Sequence, residues 1–196
     1  MNDRARVGVL ALQGDFAAHI KTLSSIPNVT ASEVRTPDDL KNVDALILPG
    51  GESTTIIKLL QRIDLDSAIT QRVSTGMPVF GTCAGMIVLA NEVEEAPNQP
   101  TLKLLDIGVA RNAFGRQIDS FEADLTVSLN NSVETIRGVF IRAPYATRIG
   151  PNVEVLGIFN DKIVAVRDKN VLAIAFHPEL TGDTSIHSYF VNMITS

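Results

Sequence analysis

The 196-residue sequence predicts an α/β protein, with a mostly parallel sheet, helices on both of its faces and antiparallel additions in the second half. Three observations carry this reading. Short apolar runs alternate with helix-period segments through the first half. Strand-like runs follow one another through the second. Gly, Pro, Asn and Asp punctuate both.

The elements follow in order. "VGVLAL" (Val7 to Leu12) is an unbroken apolar run, the pattern of a strand buried on both faces. Asp15 is placed to cap a helix over "FAAHIKTL", and Thr36 to cap another with Pro37 at its first position. "ALIL" (Ala45 to Leu48) is the next strand. A Gly50-Gly51 turn leads into "STTIIKLLQRI", where Ile56, Leu59, Leu60 and Ile63 fall on one helix face. Gly76 and Pro78 stop a helix, and "PVFG" (Pro78 to Gly81) is a third strand. "MIVLANEV" predicts a helix, and "EEAPNQP" (Glu94 to Pro100) an exposed loop. "EADLTVSL", "RGVFIRAP", "VEVLGIF", "KIVAVRD" and "VLAIAF" are strand-like. Turns at Asn160-Asp161 and Asp168-Lys169-Asn170 make antiparallel hairpins of some of them. "TSIHSYFVNMI" closes the chain as an amphipathic helix. No repeat, low-complexity tract or linker divides residues 1–196, which are expected to form a single domain.

Composition narrows the function. The net charge is −5, and no Lys or Arg run interleaves with aromatics, which argues against a nucleic-acid surface. The single cysteine cannot form an internal disulfide, which favours a reducing compartment. The first apolar run is stopped by Gln13, Gly14 and Asp15, too early for a secretion signal. No stretch approaches the roughly 20 apolar residues of a membrane helix. A cytoplasmic protein without membrane contact is expected.

That one cysteine, Cys83, sits in "GTCAG", between a strand and a helix. A nucleophile elbow needs this context: the turn is sharp, and flanking glycines remove side chains that would collide with backbone. The helix that follows favours a thiolate, and the Ala84 amide would be one oxyanion donor. A buried cysteine acting as a small hydrophobe fits the pattern equally well, so a partner must decide.

Three histidines compete for the role of base. His19 and His187 lie in helical patterns with no acidic or cysteine motif nearby, and are expected at the surface or half-buried. His177 ends the strand "VLAIAF" and opens "HPEL". Strand C-terminal ends gather active groups in a parallel sheet, so His177 and Cys83 can meet there. Glu179, beyond a stiffening Pro178, can turn back and fix the imidazole tautomer.

"LPGGESTT" (Leu48 to Thr55) also follows a strand and opens a helix. Its bare backbone amides suit an anion, an oxyanion donor at Gly51, or a plain tight turn. The Walker pattern is absent, and scattered histidines with no C-x-x-C give metal chemistry no support. Arg111 and Arg142 each follow an apolar run at a strand end, where they could clamp a carboxylate or form a solvated face.

Together "GVLALQGDFAAH", "LPGGESTT", "GTCAGMIVLA", "RNAFGRQIDSFEADL", "VFIRAP" and "AFHPELTGD" resemble the PdxT family. Its members are the glutaminase subunits of pyridoxal 5′-phosphate synthase, a branch of the class I glutamine amidotransferases. The resemblance touches nearly the whole chain. It implies a flavodoxin-like three-layer α/β/α fold. It implies hydrolysis of L-glutamine to glutamate and ammonia, without a cofactor. The ammonia would pass to a PdxS-type synthase subunit in a large hetero-oligomer.

By the same resemblance Cys83 is the nucleophile, His177 the base and Glu179 its orienter. Gly51, Glu52, Ser53, Arg111, Ile141 and Arg142 bind glutamine. Gln13 and Arg116 are open between active-site and interface roles. A peptide flip at Gly50-Gly51 would make the isolated subunit poorly active until the synthase docks. The rival readings are a cysteine peptidase, an elbow-cysteine stress protein, a non-catalytic binding module, or a glutaminase serving another acceptor.

Overall fold

The computed structural model describes residues 4–111, 120–130 and 132–194. Its elements run β1 (Ala5–Leu10), α1 (Phe16–Ser24), β2 (Val29–Val34), α2 (Pro37–Lys41), β3 (Ala45–Leu48), α3 (Ser53–Arg62) and α4 (Leu65–Ser74). Then come β4 (Val79–Thr82), α5 (Ala84–Leu89), β5 (Ala90–Val93), β6 (Leu105–Ala110), β7 (Ser120–Leu129) and β8 (Ser132–Ile141). β9 (Tyr145–Ile149), β10 (Glu154–Phe159), β11 (Lys162–Asp168), β12 (Val171–Ile174), a 3₁₀ turn (Pro178–Leu180) and α6 (Ser185–Asn192) complete the chain.

The main sheet has the order β2-β1-β3-β4-β12-β11-β10-β7-β8. β2, β1, β3, β4 and β12 are parallel to their neighbours. From β12 outward each pairing is antiparallel. β9 pairs with β11 and β6, and β6 with β5, which extends the sheet off that path. The architecture is three-layered α/β/α, as the sequence predicts.

Local chemistry explains the ends of the helices. Asp15 accepts a hydrogen bond from the Ala18 amide at 3.2 Å and caps α1. Thr36 and Asp39 form a reciprocal capping box on α2, with Pro37 in its first turn. Glu52 caps α3, and its carboxylate accepts from the Thr54 hydroxyl at 3.1 Å. Its buried face is Ile56, Ile57 and Leu60, so Ile57 joins the core while Leu59 and Ile63 are only half-buried. The Asn160-Asp161 turn has positive φ at both residues, the two-residue geometry that suits the hairpin twist of β10 and β11.

β1 lies two residues earlier than the apolar run suggests, at Ala5–Leu10. The predicted helix "MIVLANEV" needs a larger correction: α5 ends at Leu89 and Ala90–Val93 is β5. Ala90 and Val93 are buried there, while Asn91 and Glu92 are not. Pairing with β6 therefore overrides the local helical pattern. The central strands β3, β4 and β12 are buried along their whole length. Their C-terminal ends share one edge of the sheet with that of β1, because all four are parallel neighbours.

Candidate active site

At that edge a cavity of about 460 Å³ opens. Its floor is Cys83. The backbone there has φ 50° and ψ −106°, a conformation that side chains other than Gly rarely hold. The residue is locked by its neighbours: its N–H donates to the Ile174 carbonyl of β12 at 2.9 Å. The flanking glycines act as the elbow requires. A Cβ on Gly81 would strike the backbone of Gly85, and one on Gly85 would strike the Leu48 carbonyl oxygen of β3. The thiol points toward the Ile141 carbonyl, with the sulfur 3.7 Å from that oxygen.

His177 follows the end of β12 and lines the same cavity. Its amide donates to the Val139 carbonyl of β8 at 2.8 Å. Its ring nitrogen Nδ1 lies 2.7 Å from Oε1 of Glu179 in the buried 3₁₀ turn. Burial alone would depress the imidazole pKa. Hydrogen bonds and charge from Cys83 and Glu179 oppose burial and prevail, raising it from 6.5 to about 10. The imidazole therefore interacts with the Cys83 side chain on one side and the Glu179 carboxylate on the other.

The Gly50-Gly51 loop closes over this group. A Cβ on Gly50 would run into the His177 ring, and one on Gly51 into the Gln13 side chain. Gln13, beyond the end of β1, accepts from the Glu52 amide at 2.8 Å through Oε1. Its side chain thereby fixes the peptide that joins Gly51 to Glu52. Ser53 is buried at the start of α3, where its hydroxyl accepts from the Gln99 amide at 3.2 Å. No motif marks Gln99. It lies within the loop the sequence marks only as exposed, and Gln99 itself is half-buried.

Arg111 stands just past β6, and Arg142 just past β8 with a φ of 43°. Both line the cavity, together with Glu52, Ala84 and Ile141. Two guanidinium nitrogens of Arg111, Nε and one terminal nitrogen, are buried without a partner among the described residues. Buried donors left unpaired are costly, and an acceptor oxygen would satisfy them; the backbone amide of Arg111 donates to the Glu95 carboxylate at 3.1 Å. Arg116 lies outside the described residues.

The other two histidines depart from expectation. His19 and His187 are both 0% exposed, not at the surface. Helices α1 and α6 carry them to one point against β4. Nδ1 of His19 lies 3.0 Å from Nε2 of His187. Nε2 of His19 lies 3.2 Å from the Thr82 hydroxyl and 3.4 Å from Oε1 of Glu179. Burial holds the His19 pKa well below 6.5, and positive charge on His187 or His177 would push it the same way. Burial also lowers His187 to about 4, against the opposing charge of Asp183. Both rings are therefore neutral near pH 7.

The α/β/α fold, with Cys83, His177 and two arginines lining one cavity at its sheet edge, is the layout of an amide hydrolase of the glutamine amidotransferase class. The chain belongs to the SNO glutamine amidotransferase family, whose model it matches over residues 9–196. It is 50% identical over 189 residues to the pyridoxal 5′-phosphate synthase subunit PdxT of Carboxydothermus hydrogenoformans, covering 96% of this chain and 97% of that protein. It is 53% identical over 186 residues to the PdxT subunit of Pelotomaculum thermopropionicum, covering 95% and 93%. A solved glutamine amidotransferase structure superposes with a TM-score of 0.91 at 48% identity, over 97% of this chain and 99% of that one. The PurLQS structure from Thermotoga maritima shares the fold at a TM-score of 0.71 and 20% identity, over 98% and 96%.

Proposed function

We propose that the chain hydrolyses L-glutamine to glutamate and ammonia through Cys83, His177 and Glu179, and delivers the ammonia to a PdxS-type pyridoxal 5′-phosphate synthase subunit. The observation that carries the substrate assignment is Arg111. Two of its guanidinium nitrogens are buried without a partner among the described residues, and the residue shares one cavity with Cys83 and His177, so a ligand carboxylate and a scissile group can be held together. Arg142, Ile141, Glu52 and Ser53 line the same cavity, which supports their part in holding the amino-acid end.

In this reading the Cys83 thiolate attacks the side-chain amide carbon. A C–S bond forms and the carbonyl becomes an oxyanion, held by the amides of Gly51 and Ala84. Each such donor is worth about 10²–10³ in rate. The C–N bond then breaks as the His177 imidazolium gives its proton to the leaving ammonia. Water, deprotonated by His177, cleaves the glutamyl thioester and frees glutamate and the thiol. Glu179 holds the ring in the tautomer with Nδ1 protonated throughout.

The resemblance of the whole chain to PdxT subunits supports the acceptor, and with it a cytoplasmic hetero-oligomer. No helix among the described residues is long and apolar enough to cross a membrane. The test measures glutamate release by the native chain and by Cys83→Ala, each with and without the synthase subunit. Release by the native complex and none by the variant is the expected result. Equal release by both would remove Cys83 from the reaction. Native activity unaltered by the synthase would remove docking as a control.

A further inference from the structure

The Glu179 carboxylate has a second neighbour that the triad does not use. Nε2 of His19 stands 3.4 Å from the same oxygen that receives Nδ1–H of His177. Behind His19 lies His187, at 3.0 Å. All three side chains are sealed from solvent. The sequence offers no sign of this, since the residues lie 168 positions apart.

The direction of these hydrogen bonds follows from elimination. If Nδ1 of His19 carried the proton, its Nε2 lone pair would face the Glu179 oxygen, and two acceptors would repel. His187 would then have to accept at Nε2 and carry its own proton on Nδ1. That atom is buried with no partner among the described residues. An unpaired buried donor is among the costlier defects in a core. With Nε2–H on His19 the conflict disappears. His187 then donates from Nε2 to Nδ1 of His19, and His19 donates from Nε2 toward Glu179 Oε1 and the Thr82 hydroxyl. Only the weaker acceptor Nδ1 of His187 is left over.

We infer that His19 is a positioning residue for the Cys83–His177–Glu179 group, a neutral donor that holds the Glu179 carboxylate from behind and is itself oriented by His187. This rests on the glutaminase reading for its activity readout. Among the described residues the groups facing His19 are His187 from α6, Thr82 from β4, and Glu179 and His177 from the segment after β12. Asp183 is the charged group acting on His187. Depressed basicity keeps both rings uncharged, so the device works as a dipole chain and not as an ion pair. Thr82 immediately precedes Cys83, so the same imidazole also touches the strand that presents the nucleophile.

The experiment compares full-length native chain, His19→Leu and His19→Gln, each with the synthase subunit. Leu keeps apolar volume and loses the donor. Gln keeps an N–H near the position of Nε2. The expected result is a fall in kcat of at least tenfold for His19→Leu with KM within twofold, and recovery of most of that loss in His19→Gln. The downfield proton resonance of His177 Nδ1–H should broaden or shift in His19→Leu and return in His19→Gln. A folded His19→Leu protein with native kcat and an unshifted resonance overturns the inference. So does a loss that His19→Gln fails to recover while remaining folded. If His19→Leu does not fold, His19→Gln and His187→Phe decide by the same resonance. A native complex that releases no glutamate would sink the glutaminase reading instead. In that case the rate of Cys83 alkylation by iodoacetamide decides the inference. A fall of at least threefold in His19→Leu supports it, and an unchanged rate overturns it.

Discussion

Glu179 directs one carboxylate oxygen, Oε1, onto Nδ1 of His177 at 2.7 Å, while its other oxygen has no hydrogen-bond partner among the described residues. The whole orienting effect on the imidazole thus passes through one atom. Glu179→Gln would present an amide there and no longer stabilise an imidazolium. A fall in kcat of about 10²–10⁴ is expected, by analogy with loss of the third member of other triads. Steady-state glutamate release in the presence of the synthase checks it. A change under threefold would mean that His177 needs no orienter.

Arg111 should govern affinity more than turnover. A charge-assisted hydrogen bond contributes about 1.5–3 kcal/mol, so Arg111→Gln should raise the KM for glutamine about 10–100-fold. kcat should change much less, because the arginine lies away from the scissile amide in the proposed mechanism. The decisive comparison is glutamine against a carboxylate-free analogue. The analogue should lose its disadvantage in the variant, and an unchanged ratio would count against the clamp.

The nucleophile's backbone conformation predicts an inverted stability order. At φ 50° and ψ −106° a Cβ is strained, and glycine is not. Cys83→Gly should therefore be more stable than Cys83→Ala, by on the order of 1 kcal/mol. At most positions glycine is the worse choice. Urea denaturation of the two inactive variants measures the difference, and a more stable Cys83→Ala would show that the elbow carries no strain.

Acid stability should decline early. His187 has its pKa lowered to about 4 in the fold, and His19 is lowered well below 6.5. Between about 4 and 6.5 the unfolded chain binds protons that the folded chain refuses, so stability falls as pH falls through that window. His187 alone should contribute a loss of about 3 kcal/mol. His177 shifts the other way. Its contribution is complete below 6.5 and fades only as pH rises through about 10, so it does not cancel the loss. Asp39 is held below 3.8 chiefly by the Arg35 amide, and Asp44 by the Arg6 side chain, and both act only at still lower pH. Denaturation at pH 7, 5.5 and 4.5, for native protein and His187→Phe, tests this. The native curve should be the steeper of the two.

The strands that carry the site could be read from sequence because burial on both faces leaves unbroken apolar runs, as in "ALIL" and "VLAIAF". That Cys83, His177 and Glu179 meet at one sheet edge was legible, because the cysteine and the histidine each follow a buried strand with glycine or proline beside them. β2 was not, since it lies at the sheet edge and "VTASEV" buries only Val34 fully. β5 was hidden inside a helical pattern, where pairing with β6 decides the outcome. The burial of His19 and His187 could not be read locally. The two rings bond each other and His19 also bonds Thr82, and only tertiary folding brings α1, β4 and α6 together.

The position of β12 also sets when the thiol can become useful. It leaves the ribosome long after β4, yet it lies between β4 and β11 and not at the margin. Until those residues emerge, β4 lacks the neighbour that grips the Cys83 amide, and His177 does not yet exist beside it. The segment around Cys83 is therefore made well before the strand that holds it, and it stays unassembled until β12 emerges.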